Sequence, residues 1–344
     1  MKKGHFRSAV LVVMTAAIAS GASSTSPAWS ADFYKDKRIR FIIATGAGGS
    51  YDRVARMVAR SMFRHIPGTP SIISQNMQGA SSIKAANHIY NIAPQDGTVM
   101  AMVVQTLPQN QLLKFPNVKY DAAKFQWIGN PSASVIVFGV KDNAPVKSIE
   151  DAKRHEIIFG ASNRRGADGL LPIVVKNILG AKFKVVTGYK GGGAVMLAFD
   201  RGEIAGRGGL SWGGWKASRP QMIKDGTVRF ILQVGLAPEK ELPNVPLATD
   251  LAKTDEDRKV LKLFSTASAL GYPMLTGQSV PADRVAILRQ AFRETMGDPV
   301  FMKEAEKSRI DIVPMYGEEV QKAVEELLNY SPEIVAKAKA AMEQ

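Results

Sequence analysis

The sequence contains no cysteine among its 344 residues. This absence excludes disulfide bonds, thiolate metal sites, cysteine nucleophiles and the lipid-modified cysteine found after some export signals. The chain must therefore be stabilised by burial of apolar side chains, and its hydrophobic content of 45% supports ordinary globular folding. Because single hydrophobic cores stop growing at roughly 250–300 residues, a chain of this length is long enough for two lobes.

Histidine is almost as scarce, with four in the chain. Beyond the N-terminal segment they stand far apart, at His65, His88 and His155. No His-x-x-x-His pair or acidic cluster has the spacing of metal ligands. We therefore expect neither a metal site nor a cofactor.

Apolar segments of about 20 residues, the length needed to span a bilayer, are also missing. The apolar run 9–18 follows three basic residues and precedes small residues around Ala28. This order is typical of a secretory signal peptide. Residues 1–30 are therefore predicted to be removed on export to the periplasm, leaving an N-terminus at Ala31 or Asp32.

Acidic residues are outnumbered, 31 against 45 lysines and arginines, which gives a formal net charge of +14. Such a surplus favours anionic partners, which include nucleic acids, anionic membrane surfaces and small anions. Export argues against nucleic acid. A small anionic ligand or a generally cationic surface then remains.

Short β-branched segments alternate with longer amphipathic segments, as at 39–44 and 52–65. The alternation indicates βαβ units around largely parallel sheets, and therefore an α/β fold. It is repeated in the middle of the chain, so we expect a first lobe from 31–134 and 237–344 and a second from 135–236. The mostly helical C-terminal part is expected to pack around the first lobe.

Four clusters of glycine and other small residues stand directly before predicted helices. They occupy 46–50, 78–82, 164–168 and 189–193. A helix start offers unpaired N–H groups and the positive end of the helix dipole, and small side chains let an anion approach them. Two clusters in each half of the chain suggest one anion held from both sides.

None of three enzyme motifs is complete in the sequence. Gly46 and Gly48 begin like a dinucleotide fingerprint, but Tyr51 occupies the third glycine position and no acidic residue follows before Asp96, apart from Asp52. A P-loop ending in Gly-Lys-Ser/Thr is absent.

The third motif, GLSWG at 209–213, matches the nucleophile elbow of α/β-hydrolases. In that fold the catalytic histidine follows the serine, whereas the last histidine here is His155. An enzyme is therefore not expected.

Taken in order, the loops resemble those of the periplasmic substrate-binding proteins of tripartite tricarboxylate transporters. The matching stretches are RFII at 40–43, GGSYDRVAR at 48–56, QNMQGA at 75–80, APQDG at 93–97, YKGG at 189–192 and LPNVP at 242–246. They run through nearly the whole chain after residue 30 with compatible spacing.

The resemblance implies a type II periplasmic-binding-protein fold, in which two lobes joined by paired crossover segments close over a ligand. It also implies no catalysis, a small carboxylate ligand, and a membrane transporter made of one large and one small integral subunit. The ligand-binding residues that it implies are Gly48, Gly49, Ser50, Asp52, Gly79, Ala80, Ser81, Ser82, Thr106, Ser162, Asn163, Tyr189, Lys190, Gly191, Gly192 and Arg207.

The sequence departs from the family pattern near the ligand. Gln78 stands where proline is usual, and Ala205-Gly206-Arg207 stands where many members have an aspartate. We expect Lys190 and Arg207 to complement a negative charge. The pattern leaves open whether the ligand is a mono-, di-, tri- or aromatic carboxylate. It also leaves open whether the ligand-bound protein signals to a membrane receptor instead of supplying a transporter.

Overall fold

The computed structural model describes Met1 and residues 32–133 and 135–343. The predicted signal peptide, apart from Met1, lies outside the described residues. Within them, no helix combines the length and the apolar composition that crossing a membrane requires.

The first sheet has six strands in the order β11-β4-β10-β3-β1-β2. Its strands are β1 (Arg38–Ile43), β2 (Ser71–Asn76), β3 (Val99–Met102), β4 (Gln126–Asn130), β10 (Met274–Thr276) and β11 (Met315–Tyr316). β1 pairs in parallel with β2 and β3, so the carboxyl ends of these three strands lie at the same edge. β10 and β11 return antiparallel to their neighbours.

The second sheet has five strands in the order β7-β6-β8-β5-β9. Its strands are β5 (Ile136–Lys141), β6 (Ile157–Ala161), β7 (Phe183–Thr187), β8 (Gly206–Ser211) and β9 (Val228–Val234). β6 is parallel to β7 and β8, whereas β5 is antiparallel to β8 and β9. The carboxyl ends of β6, β7 and β8 therefore share one edge.

Thirteen helices of the described residues connect and cover the sheets. They are α1 (Ser50–Met62), α2 (Ile83–Asn91), α3 (Leu107–Leu112), α4 (Ile149–Arg154), α5 (Ala167–Leu179), α6 (Gly192–Arg201), α7 (Trp212–Ser218), α8 (Pro220–Lys224), α9 (Asp255–Ala269), α10 (Ala282–Gly297), α11 (Pro299–Lys307), α12 (Gly317–Leu328) and α13 (Pro332–Met342). Short 3₁₀ turns span Phe63–His65, Ala80–Ser82 and Ala248–Leu251.

Both sheets are buried on their two faces, as expected of an α/β fold. In β1, Phe41 and Ile43 belong to one apolar cluster and Ile42 belongs to another on the opposite face. In β5, Phe138 and Val137 likewise face different clusters. Each lobe therefore has helices on both sides of its sheet.

The C-terminal helices divide between the two lobes. α10, α11 and α12 pack on the first sheet, as expected, with Phe292 and Phe301 in its core. α9 and α13 differ from the expectation, because Phe264 and Ala338 are buried in the core that surrounds Phe138 of the second sheet. These two helices contact each other and α5, and burying their apolar faces there closes one side of the second lobe.

Two of the crossings between the lobes run beside each other. The side-chain Oδ1 of Asn130, at the end of β4, accepts hydrogen bonds from the N–H groups of Ser132 (3.2 Å) and Tyr272 (2.8 Å). Gly271 has a φ of +56°, and a Cβ there would lie 1.9 Å from the carbonyl oxygen of Ser132. Glycine is therefore required at this close approach.

Candidate ligand-binding site

Three loops of the first lobe meet where β1, β2 and β3 end. The buried hydroxyl of Ser82 donates to the carbonyl of Ala44 (3.3 Å) and accepts from the N–H of Val104 (3.1 Å). The Tyr51 hydroxyl accepts from the N–H of Gln105 (3.2 Å) and donates to the carbonyl of Gly271 (2.8 Å). Two hydroxyl groups thus join all three loops and one crossing segment.

The first glycine loop is held by a buried carboxylate. Asp52, 6% exposed, accepts hydrogen bonds from the Gly48 N–H, Arg56 Nε and Asn76 Nδ2, each at 2.9 Å. Burial opposes ionisation of Asp52, but the hydrogen bonds from Gly48, Asn76 and Arg56 outweigh it and lower its pKa. Its carboxylate therefore positions the loop, whereas Gly49 caps the start of α1.

Three of the predicted residues in this loop are exposed to solvent. Gly48, with a φ of +79°, Gly49 and Ser50 are exposed at the N-terminal end of α1. A Cβ at Gly48 would meet no other atom within 4 Å. The loop therefore leaves open space in front of a thirteen-residue helix.

The second loop of the first lobe has an unusual backbone. After Gly79, with a φ of +150°, the residues Ala80, Ser81 and Ser82 all have positive φ. Ala80 and Ser81 are exposed, but the Ser82 hydroxyl is used inside the lobe. Thr106 stands half-buried at the start of α3, next to the Gln105 that Tyr51 contacts.

The loop after β6 in the second lobe repeats the arrangement of the first glycine loop. Asp168, in the first turn of α5, accepts from the Ser162 N–H (2.7 Å) and the Ser162 hydroxyl (3.1 Å). The Asn163 side chain accepts from the N–H groups of Arg165 (3.0 Å) and Gly166 (2.6 Å). Ser162 and Asn163 therefore shape the loop with their side chains.

Asp168 was not singled out as a site residue from the sequence. The available signal was its place in the first turn of a helix after a small-residue loop, which Asp52 shares. In both lobes the aspartate reaches back to an N–H group of the loop that precedes its helix.

The loop after β7 leads into α6. Lys190, Gly191 and Gly192 are exposed, and Tyr189 is half-buried against the second lobe. Gly191 has a φ of +85°, and its N–H donates to the carbonyl of Tyr189 at 2.8 Å. The chain thus turns tightly to begin α6 at the same edge as Ser162.

Arg207 lies on β8 and is 4% exposed. Its Nη1 donates to the carbonyl of Gly208, and its Nε has no partner in the described structure. Burial lowers the pKa of Arg207, and the negative charge of Asp168 opposes this shift. A Cβ at Gly192 would lie 3.4 Å from Arg207 Nη2, so this predicted residue reaches the start of α6.

Side chains also connect the two lobes. The Arg165 guanidinium lies over the Phe115 ring, 5.1 Å from its centroid. Lys216 of α7 pairs across the lobes with Asp311 (2.9 Å), just before β11, and within the second lobe with Glu241 (2.7 Å), in the loop after β9. Burial disfavours the charged Lys216, but its hydrogen bonds to these carboxylates raise its pKa.

The serine of the hydrolase-like motif has a local role. The Ser211 hydroxyl accepts from the Gly214 N–H at 3.0 Å and so caps α7. The glycines around it permit close packing, since a Cβ at Gly209 would lie 2.3 Å from the Asp168 nitrogen. The motif therefore reflects a strand that turns into a capped helix.

The predicted residues form two sets, one at the carboxyl edge of each sheet. The first-lobe set is joined by the hydrogen bonds of Ser82 and Tyr51, and the second-lobe set surrounds the starts of α5 and α6. Ligands of open α/β sheets bind outside such edges. The side chains of Asp52, Ser82, Ser162 and Asn163 form hydrogen bonds inside their own lobes.

Comparison with known proteins agrees with this architecture. A UPF0065 protein of Cupriavidus necator, from the gbd 5′ region, is 24% identical over 355 residues covering 100% of this chain and 98% of the relative. A TctC solute-binding protein from Polaromonas superposes with a TM-score of 0.65 at 18% identity, covering 90% of this chain and 99% of that one.

Two further solved structures are of proteins with an organic acid. An R. palustris protein with adipate has a TM-score of 0.64 at 18% identity, covering 88% of this chain and 97% of that one. MatC from Rhodopseudomonas palustris with bound malate has a TM-score of 0.61 at 15% identity, covering 89% and 99%. These likenesses confirm the predicted two-lobe periplasmic-binding-protein fold.

A family model described as the tripartite tricarboxylate transporter family receptor matches residues 54–339. The match includes loops from both lobes and both edges described above. Because it spans most of the sequence, the chain belongs to the tripartite tricarboxylate transporter receptor family.

Proposed function

We propose that this protein is exported to the periplasm, captures a small organic carboxylate between its two lobes, and delivers it to a membrane transporter with one large and one small integral subunit. The observation that carries the proposal is the pair of helix-start loops at the two sheet edges. Each loop is held by a buried aspartate, Asp52 or Asp168. Loops held in this way keep the N–H groups at the helix starts in place for an anion.

Charge supports an anionic ligand over a neutral one. Removal of the signal peptide, which holds Lys2, Lys3 and Arg7 and no acidic residue, lowers the formal net charge from +14 to +11. The remaining surplus raises the local concentration of anions by long-range attraction. Lys190 is exposed in the loop before α6, where a cation can meet an entering carboxylate. The adipate and malate of the two related structures are small carboxylates, in keeping with the proposed ligand class.

We infer binding and not catalysis. Ser211, the one residue in a nucleophile-like motif, uses its hydroxyl as a helix cap. In the sequence no histidine follows it to act as a general base. Closure of the lobes over a held ligand is then the working motion.

Thermal unfolding of the purified protein with malate, adipate, citrate and benzoate tests the ligand class. A ligand at a hundredfold excess over its Kd stabilises the folded state by about 2.7 kcal/mol, which corresponds to roughly 5–10 °C in domains of 150–250 residues. We expect such a shift with at least one acid. Stabilisation by neutral sugars, with none from any acid, would contradict the proposal.

Salt separates binding in the cleft from attraction to the cationic surface. At 1 M salt the Debye length falls to about 3 Å, so surface attraction is screened while bonds to enclosed N–H groups persist. We expect the shift to be retained in 1 M NaCl.

Delivery is tested by deleting the gene in the host, which should abolish uptake of the bound acid until the gene is restored.

A further inference from the structure

Arg207 projects from β8 towards the helix α6. Side chains alternate along a strand, and Cβ atoms at Gly206 and Gly208 would lie 2.6 Å from Phe159 and 2.7 Å from Pro172, in the core on the opposite face. The Arg207 side chain therefore runs on the face covered by α6, near the carboxyl edge of the sheet.

The end of this side chain lies against the first turn of α6. Nη2 is 3.4 Å from the position a Cβ would take at Gly192. The N–H of Gly191 donates to the Tyr189 carbonyl, and the N–H groups of Ala194 and Val195 donate to the Gly191 carbonyl. In the described structure the N–H groups of Gly192 and Gly193 have no backbone acceptor, so they remain available beside the guanidinium.

No ion pair in the described structure compensates the charge of Arg207, and the one acidic group that acts on it, Asp168, is engaged elsewhere. Of all the lysines and arginines in the described residues it is the one that is buried, and it forms no ion pair there. Asp168 directs its two carboxylate oxygens to Ser162. A buried unpaired cation is costly, and the positive end of a helix dipole beside it adds repulsion. This local arrangement is unfavourable unless an anion joins the two positive groups.

We propose that Arg207 and the start of α6 form a second-lobe subsite that binds one carboxylate group of the ligand. This subsite rests on the proposed function and specifies which part of the second lobe binds one carboxylate group. A planar guanidinium can hold a carboxylate with two parallel hydrogen bonds, and the free N–H groups of Gly192 and Gly193 supply further donors. Because Gly192 lacks a Cβ, an oxygen atom can reach Nη2 and the helix start together.

Calorimetric titration measures the contribution of the subsite to ligand affinity. The titrant is whichever of malate, adipate, citrate and benzoate binds most tightly. Loss of one charge-assisted hydrogen-bonding partner should weaken binding about ten- to a hundredfold in Arg207→Met. Arg207→Lys keeps the charge without the fork and should recover part of the affinity. Arg229→Met, which removes an exposed cation from the same lobe, should change the affinity less than about twofold.

Thermal stability without ligand distinguishes this role from a structural one. Removing a buried unpaired charge should leave the melting temperature of Arg207→Met unchanged or raise it. Gly192→Ala should also fold, since its Cβ meets Nη2 at an ordinary contact distance and alanine favours a helix. It should nevertheless bind the acid more weakly. A lower melting temperature of Arg207→Met with unchanged affinity would overturn the subsite.

Inorganic sulfate tests the subsite separately from the proposed function. At constant ionic strength, replacing chloride by millimolar sulfate should raise the melting temperature of the wild type and of Arg229→Met more than that of Arg207→Met. An equal response in all three proteins would overturn the subsite, whatever the acids do. Binding of an acid with equal affinity by wild type and Arg207→Met would do the same while leaving the proposed function in place. If no acid binds, the proposed ligand class fails and the sulfate result decides the subsite.

Discussion

At the scale of single residues, the loop at 79–82 stores backbone strain beside the ligand edge. Ala80, Ser81 and Ser82 have φ values of 46°, 50° and 70°, and the left-handed conformation costs a residue with a Cβ roughly 1–2 kcal/mol. The hydrogen bonds of Ser82 to the loops after β1 and β3 hold this conformation. Strain of this kind is found where a loop must present its backbone in one arrangement.

Ala80→Gly tests the strain directly. Glycine adopts positive φ without steric cost, and the exposed Ala80 methyl group contributes little burial. We expect the free energy of unfolding, measured in urea, to rise by about 1 kcal/mol.

A matched substitution in an ordinary conformation should act in the opposite direction. Ala336 is exposed within α13, and Ala336→Gly is expected to lower the free energy of unfolding by about 1 kcal/mol. A loss of stability in Ala80→Gly as well would show that the loop is not strained.

At the scale of elements, Asp298 joins the start of α11 to the 3₁₀ turn that follows α1. It accepts from the Val300 N–H at the start of α11 (2.7 Å), from Arg64 (2.7 Å) and from His65 (2.9 Å) in the turn after α1. The hydrogen bond from Arg64 is the main cause that holds the pKa of Asp298 well below its usual range, against the effect of burial.

Asp298→Asn should reveal this contribution through its pH dependence. Because the pKa is lowered on folding, the stabilisation is complete above the unfolded-state value of about 3.9 and is lost as the pH falls towards the folded value. We expect the variant to lose about 1–3 kcal/mol of unfolding free energy at pH 5. The difference from wild type should shrink between pH 5 and pH 2.

Asparagine can still cap α11, so the effect isolates the charge. Asp142→Asn removes an exposed carboxylate from the second lobe and should leave the pH profile of unfolding unchanged. A constant difference between Asp298→Asn and wild type down to pH 2 would show that the helix cap and not the charge is responsible.

At the scale of the whole molecule, the lobes are connected by polar contacts as well as by the chain. Lys216 and Asp311 form an ion pair between α7 and the segment before β11. Their side chains are 31% and 55% exposed, and such a pair contributes at most about 1 kcal/mol. That is enough to shift an equilibrium between open and closed lobes by up to about fivefold.

Asp311→Asn should therefore widen the distribution of distances between the lobes. Since the chain has no cysteine, Lys224→Cys and Lys303→Cys can be spin-labelled without background, one in each lobe. We expect pulsed electron resonance to report a larger mean separation for Asp311→Asn in the absence of ligand.

Glu241→Gln is the matched control, because it removes the other carboxylate partner of Lys216, which lies in the loop after β9. It should leave the distance distribution unchanged. An equal change in both variants would assign the effect to the placement of Lys216 and not to the contact between the lobes.

Features set by neighbouring residues were predictable from the sequence. Val54, Val58 and Met62 recur at the period of a helix, and the structure buries all three on one face of α1. Ser148 and Asp151 have the spacing of a helix cap, and the Ser148 hydroxyl accepts from the Asp151 N–H at the start of α4. Alternating segments also predicted two α/β lobes, since helix and strand periodicity are local properties.

Tertiary structure decided which distant segments meet. The burial of Phe264 and Ala338 in the second lobe depends on which core has an uncovered side, and both cores accept apolar faces of similar chemistry. The pairing of Lys216 with Asp311 likewise joins residues far apart in the chain. Periodicity within a helix reports that a face is buried, but not against which partner.

The candidate site divides along the same line. Glycines before helices and the identity of Arg207 stand in the sequence itself, because small side chains and helix starts are neighbours along the chain. The burial of that arginine beside Gly192, and the use of Asp52 and Asp168 to hold their loops, arose only when parallel strands placed their ends at one edge. Strand order brings these groups together, and it depends on packing across the whole lobe.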